Sequence, residues 1–333
     1  MRLLVTGGAG FIGSTYVRRH LDENPGDEIV VLDKLTYAGR MENLDGVPED
    51  RLTFIEGDIA DQAKVAEAID GADAVVNFAA ESHVDRSIEN PGEFIQTDVF
   101  GTFVLLEAAR DAGIRHLQIS TDEVYGSIPE GSFTESSPLD PSSPYSASKA
   151  GGDLLVGAFK NTYGMDALIV RASNNYGPRQ HPEKLIPLMV LNAMAGDRLP
   201  VYGDGQQVRN WLFTEDFASA IDVVLAKGEA GEVYNVGGPE ELTNMEVVET
   251  ILELTGNDDS LIDYVDDRLG HDRRYSLSAD RTESLGWKAE VHWKEGIRRT
   301  VEWYRDNESW WGPIRSGEYQ EYYERQYGRK LGS

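Results

Sequence analysis

The strand candidate HLQIS (116–120) ends in Thr121, Asp122 and Glu123, a hydroxyl and two adjoining carboxylates. On an ordinary turn water would solvate such a pair, so its place at the end of an apolar strand asks for chemistry that uses an acid and a base together. Downstream stands YSASK (145–149), in which Tyr145 and Lys149 are one helical turn apart and share a face. An ammonium beside a phenol stabilises the phenolate and lowers its pKa, which makes Tyr145 a usable base near neutrality. Taken alone, the acidic pair reads as a solvated cap and the tyrosine–lysine pair as a feature of a surface helix. A third motif, upstream, changes that reading and makes Thr121, Asp122, Glu123, Tyr145 and Lys149 a candidate catalytic set.

That motif is GGAGFIG (7–13), with Gly7, Gly10 and Gly13 three apart, directly after the apolar LLVT. Gly7 permits a tight turn, Gly10 lets backbone approach a pyrophosphate, and Gly13 allows a helix to pack closely on the strand. The helix expected to begin near Phe11 would aim its free N–H groups and positive dipole end at phosphates. Asp33 closes the second apolar run, twenty residues beyond Gly13. A carboxylate there would hydrogen-bond the adenosine ribose and disfavour a 2′-phosphate, so NAD is expected before NADP, although Lys34 adjoins it.

The elements that must position these groups are legible as an alternation. Strand candidates are LLVT, EIVVLD, LTFIEGDI, DAVVNFAA, HLQIST, ALIVRAS and EVYNVGG, with helices near 11–23, 60–70, 92–113, 144–163 and 214–228. Nearly continuous apolar strands separated by helices predict an α/β fold, a doubly wound parallel sheet of Rossmann type covered on both faces. The expected division is 1–175 for an NAD-binding domain and 176–333 for a smaller, mainly substrate-binding C-terminal lobe. The chain is expected to return to the sheet around 211–236.

Composition excludes several classes. The chain of 333 residues carries a net charge of −27, which argues against nucleic-acid binding. It has no cysteine, so disulfides, thiol catalysis and thiolate metal sites are excluded. His83 in ESHVD has no second ligand at metal spacing and is read as a structural histidine beside the cofactor, and no metal is expected. No apolar run approaches the roughly 18 residues that span a bilayer, and the start lacks a leader pattern, so a cytoplasmic protein is expected. Nine lysines and 22 arginines against 58 acids suggest a surface adapted to concentrated salt, where screening removes self-repulsion.

The glycine turn, the Ser-Thr strand end and the YxxxK helix together resemble the short-chain dehydrogenase/reductase superfamily, in its extended, nucleotide-sugar-modifying branch. Within that branch an epimerase has no use for a second acid and base. Eliminating water between C5 and C6 of a 4-keto sugar needs a base for the C5 proton and an acid for the C6 hydroxyl, and the pair Asp122 and Glu123 offers both; the resemblance implies that Glu123 is the base and Asp122 the acid. From VTGGAGFIGS through DKLTYAG, AAESHVDRSI, ISTDEVYG, PSSPYSASKA, SNNYGP, PEKLIP and GHDRRY to TVEWY, the chain resembles the dTDP-glucose 4,6-dehydratases over nearly its whole length.

The resemblance implies that Tyr145 removes the 4-hydroxyl proton while hydride passes from C4 to NAD. It also implies that Lys149 holds the nicotinamide ribose and that Thr121 hydrogen-bonds the C4 oxygen. Matching positions imply cofactor contacts at Phe11, Ile12, Asp33, Lys34, Thr36, Asp58, Ile59, Ala79, Ala80 and Asn175, besides the three glycines. Substrate contacts are implied at Ser82, Thr97, Asn174, Lys184, Leu185, Pro187, Tyr202, Arg209, Asn244, Arg268 and Asp272, the arginines gripping the diphosphate or nucleoside. A homodimer is implied, pairing the helices near 92–113 and 144–163 through Phe94, Phe103, Leu105, Leu154, Leu155 and Phe159. Two departures, Arg179–Gln180–His181 and Leu269, lie on the nucleotide side, so a UDP- or GDP-hexose dehydratase stays open, as does a 4-epimerase. A non-catalytic NAD-binding regulator is the reading from another class.

Overall fold

The computed structural model describes residues 1–267, 270–316 and 318–327. Strands in the first half are β1 (Arg2–Thr6), β2 (Glu28–Asp33), β3 (Leu52–Glu56), β4 (Ala74–Asn77), β5 (Arg115–Thr121) and β6 (Ala167–Ala172). There follow β7 (Asn174–Tyr176), β8 (Leu199–Tyr202), β9 (Val208–Phe213), β10 (Val233–Val236), β11 (Glu240–Thr243) and β12 (Ile262–Val265). All seven expected strands form, and they make one parallel sheet in the order β3-β2-β1-β4-β5-β6-β10. The chain winds outward from β1 to β3, crosses back, and winds the other way from β4. That reversal puts a crevice at the carboxyl ends of β1 and β4, where open α/β sheets bind ligands.

Both faces of the sheet are covered because successive side chains alternate. Leu3 and Val5 enter one apolar cluster with Tyr16, Val17 and Phe217, and Leu4 enters the other with Val65, Leu105 and Val156. A polar ladder crosses the carboxyl ends beneath the crevice. Thr6 Oγ1 donates to Asn77 Oδ1, Asn77 Nδ2 donates to Gln118 Oε1 at 2.8 Å, and His116 Nε2 lies 3.1 Å from the same oxygen. Burial pushes His116 down to about 4, so it is neutral, and the ladder pins β1, β4 and β5 without a buried charge.

The helix Pro144–Tyr163, which carries Tyr145 and Lys149, is fixed at both ends by its sequence. Ser143 and Ser146 form a capping box, Pro144 stands in the first turn, and Gly164 ends the helix in the left-handed region at φ +68°. The helix expected near 92–113 is three pieces: Pro91–Phe94, a π-helical turn Ile95–Gly101, and Thr102–Ala112. No periodicity argument distinguishes a π turn from an α turn, so the sequence showed one continuous helix there.

The smaller lobe has a sheet in the order β11-β9-β7 and a parallel pair β8–β12. Its core packs Tyr176, Trp211, Trp293 and Trp310 with helices Leu185–Ala195, Asn244–Thr255 and Trp293–Asp306. The chain leaves this lobe through helix Thr214–Lys227, which packs on helix Phe11–Glu23, and β10 then closes the main sheet beside β6.

Candidate active site

A cavity of about 300 Å³ opens at the crevice. Gly7 turns at φ +67°, and a Cβ there would lie 2.6 Å from the Ala79 nitrogen, so only glycine lets β1 and the loop after β4 meet. A Cβ on Gly13 would lie 2.3 Å from the Gly7 carbonyl oxygen, which is the close helix–strand packing expected of it. Gly10 meets nothing nearer than 3.3 Å and caps helix Phe11–Glu23 without a side-chain partner, so N–H groups at the helix start face the cavity. At the end of β2, Asp33 accepts the Ala9 and Leu35 backbone N–H groups, each at 2.9 Å. Burial pushes its carboxyl up, opposed by those two hydrogen bonds and by Lys34. A glycine cradle, uncapped helix start and buried acidic strand end fit a dinucleotide.

All the expected cofactor residues line this cavity: Gly7, Gly10, Phe11, Ile12, Gly13, Asp33, Lys34, Thr36, Asp58, Ile59, Ala79, Ala80, Tyr145, Lys149 and Asn175. So do Thr121, Asp122 and Glu123, and the expected substrate residues Ser82, Thr97, Asn174 and Lys184. Asp122 follows β5 into a short 3-10 turn, where Thr121 Oγ1 donates to its Oδ1 at 3.2 Å and Oδ2 is buried with no hydrogen-bond partner. Burial, and then the neighbouring Glu123 carboxylate, push Asp122 up to about 8, against a downward pull from Arg209. At neutral pH this carboxyl carries a proton it can give.

The Tyr145–Lys149 pair differs from expectation. Lys149 Nζ donates to the Ile119 carbonyl at 2.8 Å, anchoring the helix to β5. The Tyr145 phenol is pushed well up by burial and by Glu123 and Asp98, with Thr121 opposing. The spacing put the two side chains on one face correctly, but β5 and the π turn supply the field around the phenol, and neither is visible in YSASK.

Outside the cavity wall lie Leu185, Pro187, Tyr202, Arg209, Asn244 and Asp272. Arg209 donates to the carbonyls of Val208 and Asp272 and its guanidinium carbon stands 4.2 Å from the centre of the Tyr275 ring. Tyr275 and Ser142 both donate to the Asp272 carboxylate. Arg209 therefore borders the site closely enough to act on Asp122 without lining it. Tyr202 lies on β8, where Gln326 donates to its hydroxyl at 2.7 Å, and Asn244 is buried at the start of its helix. Leu185 and Pro187 open helix Leu185–Ala195. Arg268 and Leu269 lie outside the described residues.

The model of the GDP-mannose 4,6 dehydratase family matches residues 4–300. The chain belongs to this family. A dTDP-glucose 4,6-dehydratase of Streptomyces niveus is 51% identical, over 95% of this chain and 96% of its own length. The low-salt glycan biosynthesis protein Agl12 of Haloferax volcanii is 54% identical, over 91% of this chain and 98% of its own. Among solved structures, the dTDP-glucose 4,6-dehydratase DesIV of Streptomyces venezuelae, with NAD and TYD bound, superposes with a TM-score of 0.92 at 54% identity. That likeness covers 94% of this chain and all of DesIV. A UDP-glucose 4-epimerase of Thermus thermophilus in complex with NAD has a TM-score of 0.86 at 34% identity, over 92% of this chain and all of the epimerase.

In this member of the dehydratase family the cavity is lined as well by Glu81 and Glu183, which the sequence reading missed, and by Gln180 and His181, which it named only as departures from the family pattern. Glu183 has a fully buried side chain, and Arg86 reaches its Oε2 through Nε and Nη2, both at 3.1 Å, while stacking 3.9 Å from the centre of the Tyr37 ring. The PEKL run was the available signal: a glutamate inside a run read as substrate-binding must be paired if buried. Among the described residues no group of three metal-ligating side chains occurs, and no helix is long and apolar enough to cross a membrane.

Proposed function

We propose that this chain converts dTDP-glucose to dTDP-4-keto-6-deoxyglucose, an NAD-dependent hydro-lyase step of deoxysugar biosynthesis. The observation that carries the reading is Asp122: a buried carboxyl, raised to about 8, beside a second carboxylate and a tyrosine in one cavity with a dinucleotide turn. NAD, when bound, accepts the electron pair from C4 and returns it to C6. The residues 1–175, with the later return to the sheet, hold it, and 176–333 contribute most of the nucleotide-sugar contacts.

Tyr145 takes the 4-hydroxyl proton, and Thr121 hydrogen-bonds the oxygen as it becomes a carbonyl. The new ketone acidifies C5, and Glu123 takes that proton. Asp122 gives its own proton to the C6 hydroxyl, which leaves as water. Glu123 then returns its proton to C5 as C6 is reduced. Tyr145 ends the cycle protonated and Asp122 ionised, so one proton must pass from phenol to carboxylate before the next turnover. The raised value at Asp122 suits this traffic, because its carboxylate recovers a proton readily at neutral pH, whereas burial and the nearby carboxylates make the Tyr145 phenol the harder of the two to ionise. Arg209, placed beside Asp122, is suited to the diphosphate.

The family model and the epimerase likeness keep a GDP- or UDP-hexose and a 4-epimerase in view, and the acidic pair speaks against epimerisation alone. Incubation with dTDP-, UDP- and GDP-hexoses, followed by mass spectrometry, tests this. Loss of one water from dTDP-glucose is expected, and epimerisation without water loss would refute the reading. A cytoplasmic homodimer fits it as well. Phe100, Leu154 and Tyr163 are exposed on the paired helices, whereas Phe94, Leu105 and Phe159 are buried within the chain and need no partner.

A further inference from the structure

Asp98 is 1% exposed on the π-helical turn Ile95–Gly101 and has no part in the proton transfers assigned to Tyr145, Glu123 and Asp122. Its Oδ1 accepts the Glu81 backbone N–H at 3.0 Å, and its Oδ2 lies 2.6 Å from Ser148 Oγ, which donates to it. Glu81 follows Ala79 and Ala80 on the cofactor side of the cavity, whereas Ser148 stands between Tyr145 and Lys149 on the catalytic helix. One carboxyl thus ties the loop after β4 to the turn that carries the base. The close approach depends on Gly152, where a Cβ would lie 2.9 Å from the Asp98 carbonyl oxygen. The titratable groups facing Asp98 are Lys149 and Tyr145 from the helix and the Glu81 carboxyl from the loop, the last 3.4 Å from Lys34.

Proton counting shows why the charge state matters. Ser148 Oγ lies 2.6 Å from Asp98 Oδ2 and 2.7 Å from the Tyr145 carbonyl oxygen, yet a hydroxyl has one proton to donate. While Asp98 is ionised, its carboxylate competes with that carbonyl for the proton. Once protonated, Asp98 donates to Ser148, which can turn its own proton to Tyr145. The two states differ in how the Tyr145–Lys149 turn is held, and in whether the Lys149 ammonium has a negative charge behind it.

We propose that ionised Asp98 is a positioning residue that holds the Tyr145–Lys149 turn in register with the cofactor loop and makes the reaction sensitive to acid. The inference rests on the dehydratase reading of the same site. Burial pushes Asp98 up to about 6, opposed by Lys149, Ser148 and the Glu81 amide, so the charged form is lost below that pH.

The test measures dTDP-glucose dehydration from pH 5 to 8 for wild type, Asp98→Asn and Ser148→Ala, with melting curves of each protein without substrate. Wild type should show an acid limb near pH 6. Asp98→Asn should lack that acid limb, staying flat from pH 5 to 7, and be about tenfold slower than wild type at pH 7. Ser148→Ala should keep the limb but move it to higher pH, because losing that hydrogen bond disfavours the carboxylate. A carboxyl raised from 3.8 to about 6 contributes stability below the lower value that is lost as pH rises through the upper one. The melting temperature of Asp98→Asn should therefore gain on wild type between pH 5 and 7. No limb in wild type, an unchanged limb in both variants, or parallel melting temperatures overturns the proposal. If Asp98→Asn is inactive, the Ser148→Ala limb and the melting curves still decide it. A wild-type protein that leaves dTDP-glucose unconverted instead refutes the dehydratase reading, and the melting comparison still tests the ionisation of Asp98.

Discussion

Two strand ends in this molecule carry buried aspartates that do opposite things. Asp33 closes β2, where two backbone N–H groups at 2.9 Å and the adjoining Lys34 meet its charge. Asp122 follows β5 with one weak hydroxyl partner, an unpartnered oxygen and a second carboxylate beside it. Burial raises both, but at Asp33 two backbone N–H groups and Lys34 oppose it, whereas at Asp122 the Glu123 carboxylate adds to it against the pull of Arg209 and Thr121. The first aspartate is thereby suited to accept from a ribose, and the second to donate a proton. Environment, more than residue type, divides binding from chemistry between them.

The largest effect that would sharpen the contrast is expected at Asp122. Asp122→Asn removes the proton donor and should cut dehydration about 10²- to 10⁴-fold. It should also stabilise the fold. A carboxyl raised from 3.8 to about 8 contributes stability that is lost as pH rises through about 8, and the amide escapes that loss. A melting temperature about 2 °C above wild type at pH 8.5 is the expected size. Unchanged turnover, or a less stable variant at that pH, would break the comparison.

The same carboxyl predicts an alkaline limb. Because Asp122 must be protonated to act, kcat in wild type should fall as pH rises through about 8. A rate that stays level to pH 9.5 would show that Asp122 is not the acid.

A smaller change is expected at β2. Asp33→Asn replaces one acceptor by a donor facing a backbone N–H, so NAD affinity should fall about tenfold with kcat little changed. Calorimetric titration checks this, and an equal loss in kcat would place Asp33 in the chemistry. Smallest of all should be the effect of the acidic surface at the sites themselves. Molar KCl should raise the melting temperature steeply while leaving the alkaline limb where it is, since buried groups are screened little. A limb that moves with salt would mean Asp122 is more exposed than the structure has it.

How far the sequence foretold this site follows from range. Gly7, Gly13, Asp33, Asp122 and Tyr145 were readable because each function depends on a strand end or one helical turn. The orientation of Lys149 toward the Ile119 carbonyl, the π turn that brings Asp98 to the catalytic helix, and the Arg86–Glu183 pair depend on contacts between distant segments. The lobe residues were the least legible. Arg209 and Asp272 were expected to contact substrate, and hydrogen bonds within the lobe hold both outside the cavity wall. Gln180 and His181 appeared only as departures from a pattern, though both line it.

The account rests on a division of labour between Tyr145 with Lys149, for oxidation at C4, and Glu123 with Asp122, for elimination. The direct test is rapid mixing of Glu123→Gln with dTDP-glucose, following reduced-nicotinamide absorbance and water loss together. The glutamine keeps the size but cannot take the C5 proton, so reduced nicotinamide should accumulate while dehydration falls about 10²- to 10⁴-fold. Tyr145→Phe should show neither signal. Dehydration by Glu123→Gln at a near wild-type rate would contradict the account.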